Sequence, residues 1–418
     1  MSTIALFSGS FCHEDDVVSA LSAKTGHELI RDADIVAEAA RLSGLAPDKI
    51  ERCFTAKKSI FDRLGHEKER AVVFLKLAVA GLLASDNLMI AGFSGQLIPK
   101  NVSHVLRVCL IADMKYRVES AAKAKEISEK EAVRLINKTD EDRVSWILTL
   151  FEHKDPWDGS LYDIVLPMDK TSVADAAALI AENAAKKVVQ PNERSRQAAG
   201  DFLLEARVEE ALINAGHFVS ADVAAGEVTL TIDRHVLRLK RLEKELQALA
   251  GEISGVKKIE VKVGKGFHQS NVYRRHDFSL PDRVLLVDDE REFVQSLSDR
   301  LVMCDIGAAV TYDGDSALNL ISEEEPEVMI LDLRMPGIDG FEVLRQVKEK
   351  RPEVEVIILT ARGTEAEREK CRELGAFAFL EKPVDIDQLN DTLRKAKEKI
   401  QQNIARRRKQ SDLNEVCD

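Results

Sequence analysis

Val328-Met329-Ile330-Leu331-Asp332-Leu333-Arg334-Met335-Pro336-Gly337 is an apolar run that ends in one carboxylate and passes at once into a turn. A short apolar run bounded by Pro and Gly reads as a strand buried on both faces. Three other stretches share the design. Val284-Leu285-Leu286-Val287-Asp288-Asp289-Glu290 ends in acids, Val356-Ile357-Ile358-Leu359-Thr360-Ala361 in a hydroxyl and a small residue, and Ala378-Phe379-Leu380-Glu381-Lys382-Pro383 in an ammonium. Helical patterns such as Phe341, Val343, Leu344 and Val347 separate them, so strands and helices alternate. Alternation implies a parallel sheet with helices on both faces, and such sheets bind ligands outside the carboxyl ends of their strands. Asp288, Asp289, Asp332, Thr360 and Lys382 are therefore expected to meet at one edge.

Carboxylates brought together repel, and at neutral pH a hard divalent cation is what makes their closeness tolerable. Mg²⁺ fits: it takes a few carboxylate and carbonyl oxygens, keeps several waters, and can clamp a phosphoryl group. Lys382 adds a fixed positive charge. A carboxylate beside such a cation and an ammonium suits attack on phosphorus, with Thr360 placed to hydrogen-bond the new oxygens. A lone Asp at a strand end is usually a cap or turn former. The set at successive strand ends is not explained that way.

On these residues, the stretch 282–402 resembles the receiver domain of bacterial response regulators. The resemblance implies a flavodoxin-like doubly wound parallel sheet, with Asp332 as phosphoacceptor and Asp288, Asp289, Asp332 and the main-chain carbonyl of Arg334 as Mg²⁺ ligands. It also implies Thr360 and Phe379 as a switch pair, Lys382 as the phosphate-sensing lysine, and a cis peptide between Lys382 and Pro383.

The chain has 418 residues, too many for one core. Its 45% hydrophobic and 32% charged residues are those of a globular protein, and a net charge of -12 argues against general nucleic-acid binding. The longest apolar run, around Ala71 to Ala84, is interrupted by Lys76 and too short for a bilayer span. The start of the chain lacks a signal-peptide pattern. Cysteines at 12, 53, 109, 304, 371 and 417 form no C-x-x-C pair, so reduced thiols and a cytoplasmic location are expected.

Thr3 to Phe7 reads as a strand, Ser8-Gly9-Ser10 as a turn, and Glu14 to Thr25 as a helix. That is the build of a phosphate-binding loop, whose helix amides face the anion. The G-x-x-x-x-G-K-[ST] pattern is absent, and Glu14, Asp15 and Asp16 at the helix start would repel a phosphate, so a plain turn explains the segment as well. Further strands are expected at 87–93, 106–112 and 162–167, a polar helix over 123–146, and an alanine-rich helix over 172–187. This order, with Arg117, Asp140-Glu141-Asp142-Arg143, Trp157 and Tyr162-Asp163, resembles the cytidylate kinase-like family of nucleoside monophosphate kinases. The resemblance covers residues 1–190 and implies an α/β core for nucleotide, with Ser8, Gly9, Ser10, Arg117 and Arg143 near phosphates. Without the loop lysine, and without an arginine after Gly92, a degenerate sensing or structural domain is favoured over a working kinase. A helix-surface ion pair is an equal reading for each of the two arginines.

Residues 192–197 read as a polar linker, and 195–265 as an αββαβ module, a small α+β unit closed by the period-2 strand Val256 to Val263. Gly226-Glu227-Val228-Thr229-Leu230 and Gly255-Val256 resemble the BON domain, although Ile232 stands where that family has a further glycine. The resemblance implies phospholipid or small-ligand binding; a packing or oligomerising role, a homo-oligomer included, suits a chain with no export pattern better. Lys257, Lys258 and Lys262 read as a solvated strand face. Residues 266–281 look like a flexible connector, and 403–418 like a tail, basic at Arg406-Arg407-Arg408-Lys409 and too short for a helix-turn-helix. No DNA-binding domain is evident.

The expectation is a multidomain α/β response regulator phosphorylated on Asp332 by a sensor histidine kinase or a phosphotransfer protein, signalling to its upstream domains or a partner. Its rivals are a nucleoside monophosphate kinase gated by the receiver, and an adaptor.

Overall fold

In the computed structural model, which describes residues 2–56, 66–151, 153–233, 236, 239–264, 280–303, 306–324, 326–361 and 363–415, the chain divides into two units. One comprises Met1–Lys57 with Lys68–Tyr273, the other Lys58–Glu67 with Arg274–Asp418.

The first unit is built on five parallel strands, β1 (Thr3–Ser8), β2 (Glu28–Arg31), β3 (Leu88–Ala91), β4 (Val105–Ile111) and β5 (Ile164–Pro167), in the order β2-β3-β1-β4-β5. The central strands are the buried ones; all six residues of β1 are inside. Helices Glu14–Thr25 and Val173–Ala185 pack together on one face, with Val17, Leu21, Ala177 and Ile180 against Ile4, Leu6 and Val108. β2 and the helix Asp32–Ser43 after it were not anticipated, because Glu28–Arg31 is a short edge strand without an apolar run. The expected helix over 123–146 is two helices, Met114–Lys125 and Glu129–Phe151. Glu126 adopts φ 54, which no helix interior allows, and Ser128 caps the second helix, its hydroxyl donating to Glu131 Oε2 at 2.7 Å.

Residues 192–197 form a helix start and not a linker. Asn192 caps the helix Glu193–Asn214 by accepting the Ser195 N–H at 2.9 Å, while the Ser195 hydroxyl accepts the Asn192 N–H at 3.0 Å. Turn-forming residue types serve here as a helix cap. After that helix come β6 (Ser220–Ala224), β7 (Glu227–Ile232), helix Leu239–Gly251 and β8 (Lys258–Val263), the expected αββαβ order. β6 pairs antiparallel and β8 parallel with β7, over a core of Leu204, Val208, Leu212, Val228, Leu230 and Leu246. The Lys76 ammonium joins the Glu193–Asn214 helix to the rest of the unit by contacts to Glu205 and, at 2.8 Å, Glu209. The expected domain limits at 190 and 195 therefore fall inside one compact unit.

The second unit has β9 (Arg283–Val287), β10 (Gly307–Thr311), β11 (Val328–Leu331), β12 (Glu355–Thr360) and β13 (Ala378–Glu381), all parallel, in the order β10-β9-β11-β12-β13. Alternate residues of these strands feed two cores, one per face. Val284, Leu286, Ile330 and Ile357 belong to one side, and Leu285, Met329, Leu331 and Ile358 to the other. That is the flavodoxin-like sheet expected. The last helix runs Ile386–Glu415, so most of the expected tail continues it. Residues 266–279 of the expected connector, residue 265 before it and residues 416–418 lie outside the described residues, as do the side chains of Arg407, Arg408 and Lys409. No helix among the described residues is long and apolar enough to cross a membrane.

Candidate functional site

β9, β11, β12 and β13 end together, and each delivers polar groups to the same edge. Asp288 follows β9, its N–H bonded to Thr311 O at 3.2 Å, and Asp332 follows β11, its N–H bonded to Val287 O at 2.9 Å. Both are 5% exposed. Carboxylate oxygens of Asp288, Asp289 and Asp332 lie within 4.8 Å of one another. The Lys382 ammonium, placed by the Lys382 N–H to Thr360 O bond at 2.9 Å, stands 2.6 Å from Asp288 Oδ2 and 3.6 Å from Asp332 Oδ2. The Lys382–Pro383 peptide is cis, as expected.

Burial pushes the Asp288 carboxyl up, against the Lys382 hydrogen bond and charge that favour its ionised form. Burial alone would lower Lys382, but its bonds to Asp288 and Glu290 and the nearby charges outweigh that and hold it above its ordinary value. The edge is thus a set of hard oxygens balanced by one cation, a donor set that suits a dication bound through oxygen. Thr360 Oγ1 is buried and has no hydrogen-bond partner among the described residues. Phe379 is half-buried, with the Arg368 guanidinium 4.7 Å from its ring centroid. The exposed Arg334 side chain comes within 3.7 Å of Glu367.

Glu290 was not among the residues expected at this edge. Its Oε1 accepts from Lys382 at 2.8 Å, and its N–H donates to Asp288 Oδ1 at 2.9 Å. The signal in the sequence is a third acid directly after the pair.

In the first unit, Ser8, Ser10, Arg117 and Arg143 also come together, around the end of β1. Arg117 is 6% exposed and forks onto Asp140 at 2.7 and 2.9 Å, while its Nε donates to Ser10 O at 2.9 Å and Nη2 to Ser10 Oγ at 2.7 Å. Arg143 donates from Nε to Ser8 O at 2.6 Å and from Nη1 to Thr139 O at 2.9 Å. The Gly9 N–H is taken by Leu110 O at 2.8 Å. Arg117 is therefore no surface ion pair. These contacts do not fit a nucleotide's phosphates: the loop turns carbonyls toward the arginines and uses its amide on the sheet.

Comparison with known proteins finds two families along the chain. Residues 284–394 match the response regulator receiver domain, and residues 3–170 match the cytidylate kinase-like family. Response regulator MprA of Mycolicibacterium vanbaalenii is 36% identical over 110 residues, 26% of this chain and 48% of that protein. MprA of Mycobacterium tuberculosis is 35% identical over 107 residues, covering 26% and 46%. The chain spans about half the length of the curated relatives it matches. Among solved structures, the receiver domain of the Francisella response regulator 1452 is similar with 28% identity and a TM-score of 0.27, over 28% of this chain and 98% of that one. The C-terminal third of the chain is thus a response regulator receiver domain, and its N-terminal part is a cytidylate kinase-like domain.

Proposed function

We propose that the chain is a two-component response regulator that takes a phosphoryl group onto Asp332 from a sensor histidine kinase or a phosphotransfer protein, with Mg²⁺ held by Asp288, Asp289, Asp332 and the Arg334 carbonyl. The observation that carries this reading is the convergence of the three carboxylates and Lys382 at the ends of adjacent strands. When bound, the cation would neutralise charge on the transferring phosphoryl group. An Asp332 carboxylate oxygen forms the new O–P bond while the bond from phosphorus to the donor nitrogen breaks, and the leaving imidazole keeps that electron pair and takes a proton from solvent. Lys382 then pairs with a phosphoryl oxygen, and the orphaned Thr360 hydroxyl donates to another. Moving Thr360 empties space that the Phe379 ring fills, which changes the surface around β13. That surface signals to the upstream domains or a partner.

The middle module is read as BON-like and as a packing element, supported by its αββαβ order and by the Lys76 link. The test is labelling with radioactive acetyl phosphate. Wild-type chain takes up label with Mg²⁺ and loses that ability in EDTA, and Asp332→Asn takes up none. Normal labelling of Asp332→Asn would refute the assignment.

A further inference from the structure

The cytidylate kinase-like domain contains a cavity of about 290 Å³ lined by Phe7, Ser8, Glu14, Asp32, Phe93 and Arg143, among others. That is near the lower end of ligand-site volumes, about 300–1,000 Å³. Two places in this domain where an anion would sit are filled by the protein, the first of them in the cavity wall. The turn after β3 forms an amide nest: Gly92 has φ +127, and the N–H groups of Phe93 and Ser94 point at one spot. Asp32 occupies that spot, accepting both at 2.7 and 2.8 Å. The approach is so close that a Cβ on Gly92 would stand 2.1 Å from Asp32 Oδ2. Asp140 likewise takes the fork of Arg117, at 2.7 and 2.9 Å. A carboxylate held by two amides, and another held by a bidentate guanidinium, are what a bound phosphate would otherwise supply.

The open part of the cavity differs in character. Arg143 lines it and spends Nε on Ser8 O and Nη1 on Thr139 O, with no hydrogen bond from Nη2 among the described residues. The Glu14 carboxylate has no hydrogen-bond partner among the described residues and also lines it. Burial lifts the Glu14 carboxyl above its ordinary value and lowers Arg143. Phe7 and Phe93 meet edge to face, 5.8 Å apart, and supply flat apolar wall. The lining carries two acids, Glu14 and Asp32, and two guanidinium groups, Arg31 and Arg143, with Asp32 held by the nest and Arg31 paired to Asp15 at 2.7 Å, so neither sign of charge is in excess.

We propose that this cavity takes a small, flat, uncharged compound with a hydrogen-bond acceptor beside a donor, as in free nucleobases and nucleosides, and that Asp32 and Asp140 exclude its phosphorylated forms. The acceptor faces Arg143 Nη2 and the donor faces Glu14. The domain is a nucleoside sensor whose phosphate positions are self-occupied.

The experiment is calorimetry on the full chain with the common ribonucleosides and their 5′-monophosphates, in EDTA so that the acidic cluster of the receiver holds no metal. At least one ribonucleoside binds, and its monophosphate binds no tighter. Failure of every ribonucleoside at millimolar concentration overturns the proposal, and so does a monophosphate more than about tenfold tighter than its nucleoside. Asp32→Ala opens the nest, so the monophosphate gains about tenfold or more relative to its nucleoside. No gain in a folded Asp32→Ala chain overturns the exclusion. Glu14→Gln, at a partly exposed helix start, keeps the fold by circular dichroism and weakens nucleoside binding about tenfold. Unchanged binding there overturns the role of Glu14.

Discussion

Lys397→Met tests whether the strands that carry the acidic cluster are pinned at their opposite ends. Asp282 and Glu327 immediately precede β9 and β11, and the Lys397 ammonium lies 3.0 Å from Asp282 Oδ2 and 3.0 and 2.8 Å from the two Glu327 oxygens. Lys397, Asp282 and Glu327 are 8%, 5% and 7% exposed. Methionine fills much of the same volume, so the loss is one of charge. Removing one partner of a buried ion cluster leaves carboxylates short of compensation and costs about 3–5 kcal/mol. At about 1.36 kcal/mol per decade, amide protection in β9 and β11 should fall roughly 10²- to 10³-fold or more. Hydrogen exchange with mass spectrometry reads this segment by segment. Tryptophan fluorescence does not, since Trp146 and Trp157 both belong to the other unit. Adding Glu327→Gln to Lys397→Met should recover part of the loss. A fall in protection of less than about fivefold, or no recovery in the double variant, would sink the argument.

Alkaline pH should erode the same cluster. Burial opposes the Lys397 charge, but Glu327 and Asp282 outweigh it and raise its pKa. A base raised by folding contributes its stability in full below the unfolded value of about 10.4, and loses it as pH rises through that value toward the folded one. In urea melts followed by circular dichroism, the gap between wild type and Lys397→Met should be flat through the neutral range and narrow only above about pH 10.4. Narrowing near neutrality would contradict the raised value. Gly340→Ala puts a Cβ 2.3 Å from Asp332 O and 2.6 Å from Leu333 Cα, so backbone must shift. It should destabilise the receiver by about 1–3 kcal/mol and slow acetyl phosphate labelling, and normal labelling would show that the turn after Asp332 can relax. Arg117→Met removes the fork on Asp140 and the bonds to Ser10, and should lower the first unit's urea midpoint by the equivalent of about 3 kcal/mol, read by tryptophan fluorescence. A near-neutral result would mean that Arg117 is held for a ligand and not for the fold. Thr360→Ala should leave labelling of Asp332 intact while abolishing the change in Phe379 surroundings seen by ¹⁹F-phenylalanine spectroscopy. Loss of labelling instead would place Thr360 in the transfer step.

Most of the receiver could be read in advance because its strands are buried on both faces. Continuous runs such as Val328–Leu331 and Val356–Leu359 admit few other readings, and a polar residue directly after each one must lie at the sheet edge. Strand order then follows from short right-handed crossovers. The acidic cluster and Lys382 follow from that placement. Chain order marked Glu290 only as a third acid after the pair and not as a partner of Lys382, 92 positions away, and it could not reveal the charge pin at Lys397, 115 positions from Asp282. Both are pairings of separate segments, which periodicity does not encode. In the N-terminal part, the sequence alone determined the α/β class and the loss of a standard phosphate loop. Only the tertiary structure decided what replaced it. Asp32 begins a helix after an edge strand, 61 positions before the Phe93 amide it accepts, and nothing local marks it as an internal anion. Local pattern determines which way a side chain faces; what it meets there is settled when distant segments pack.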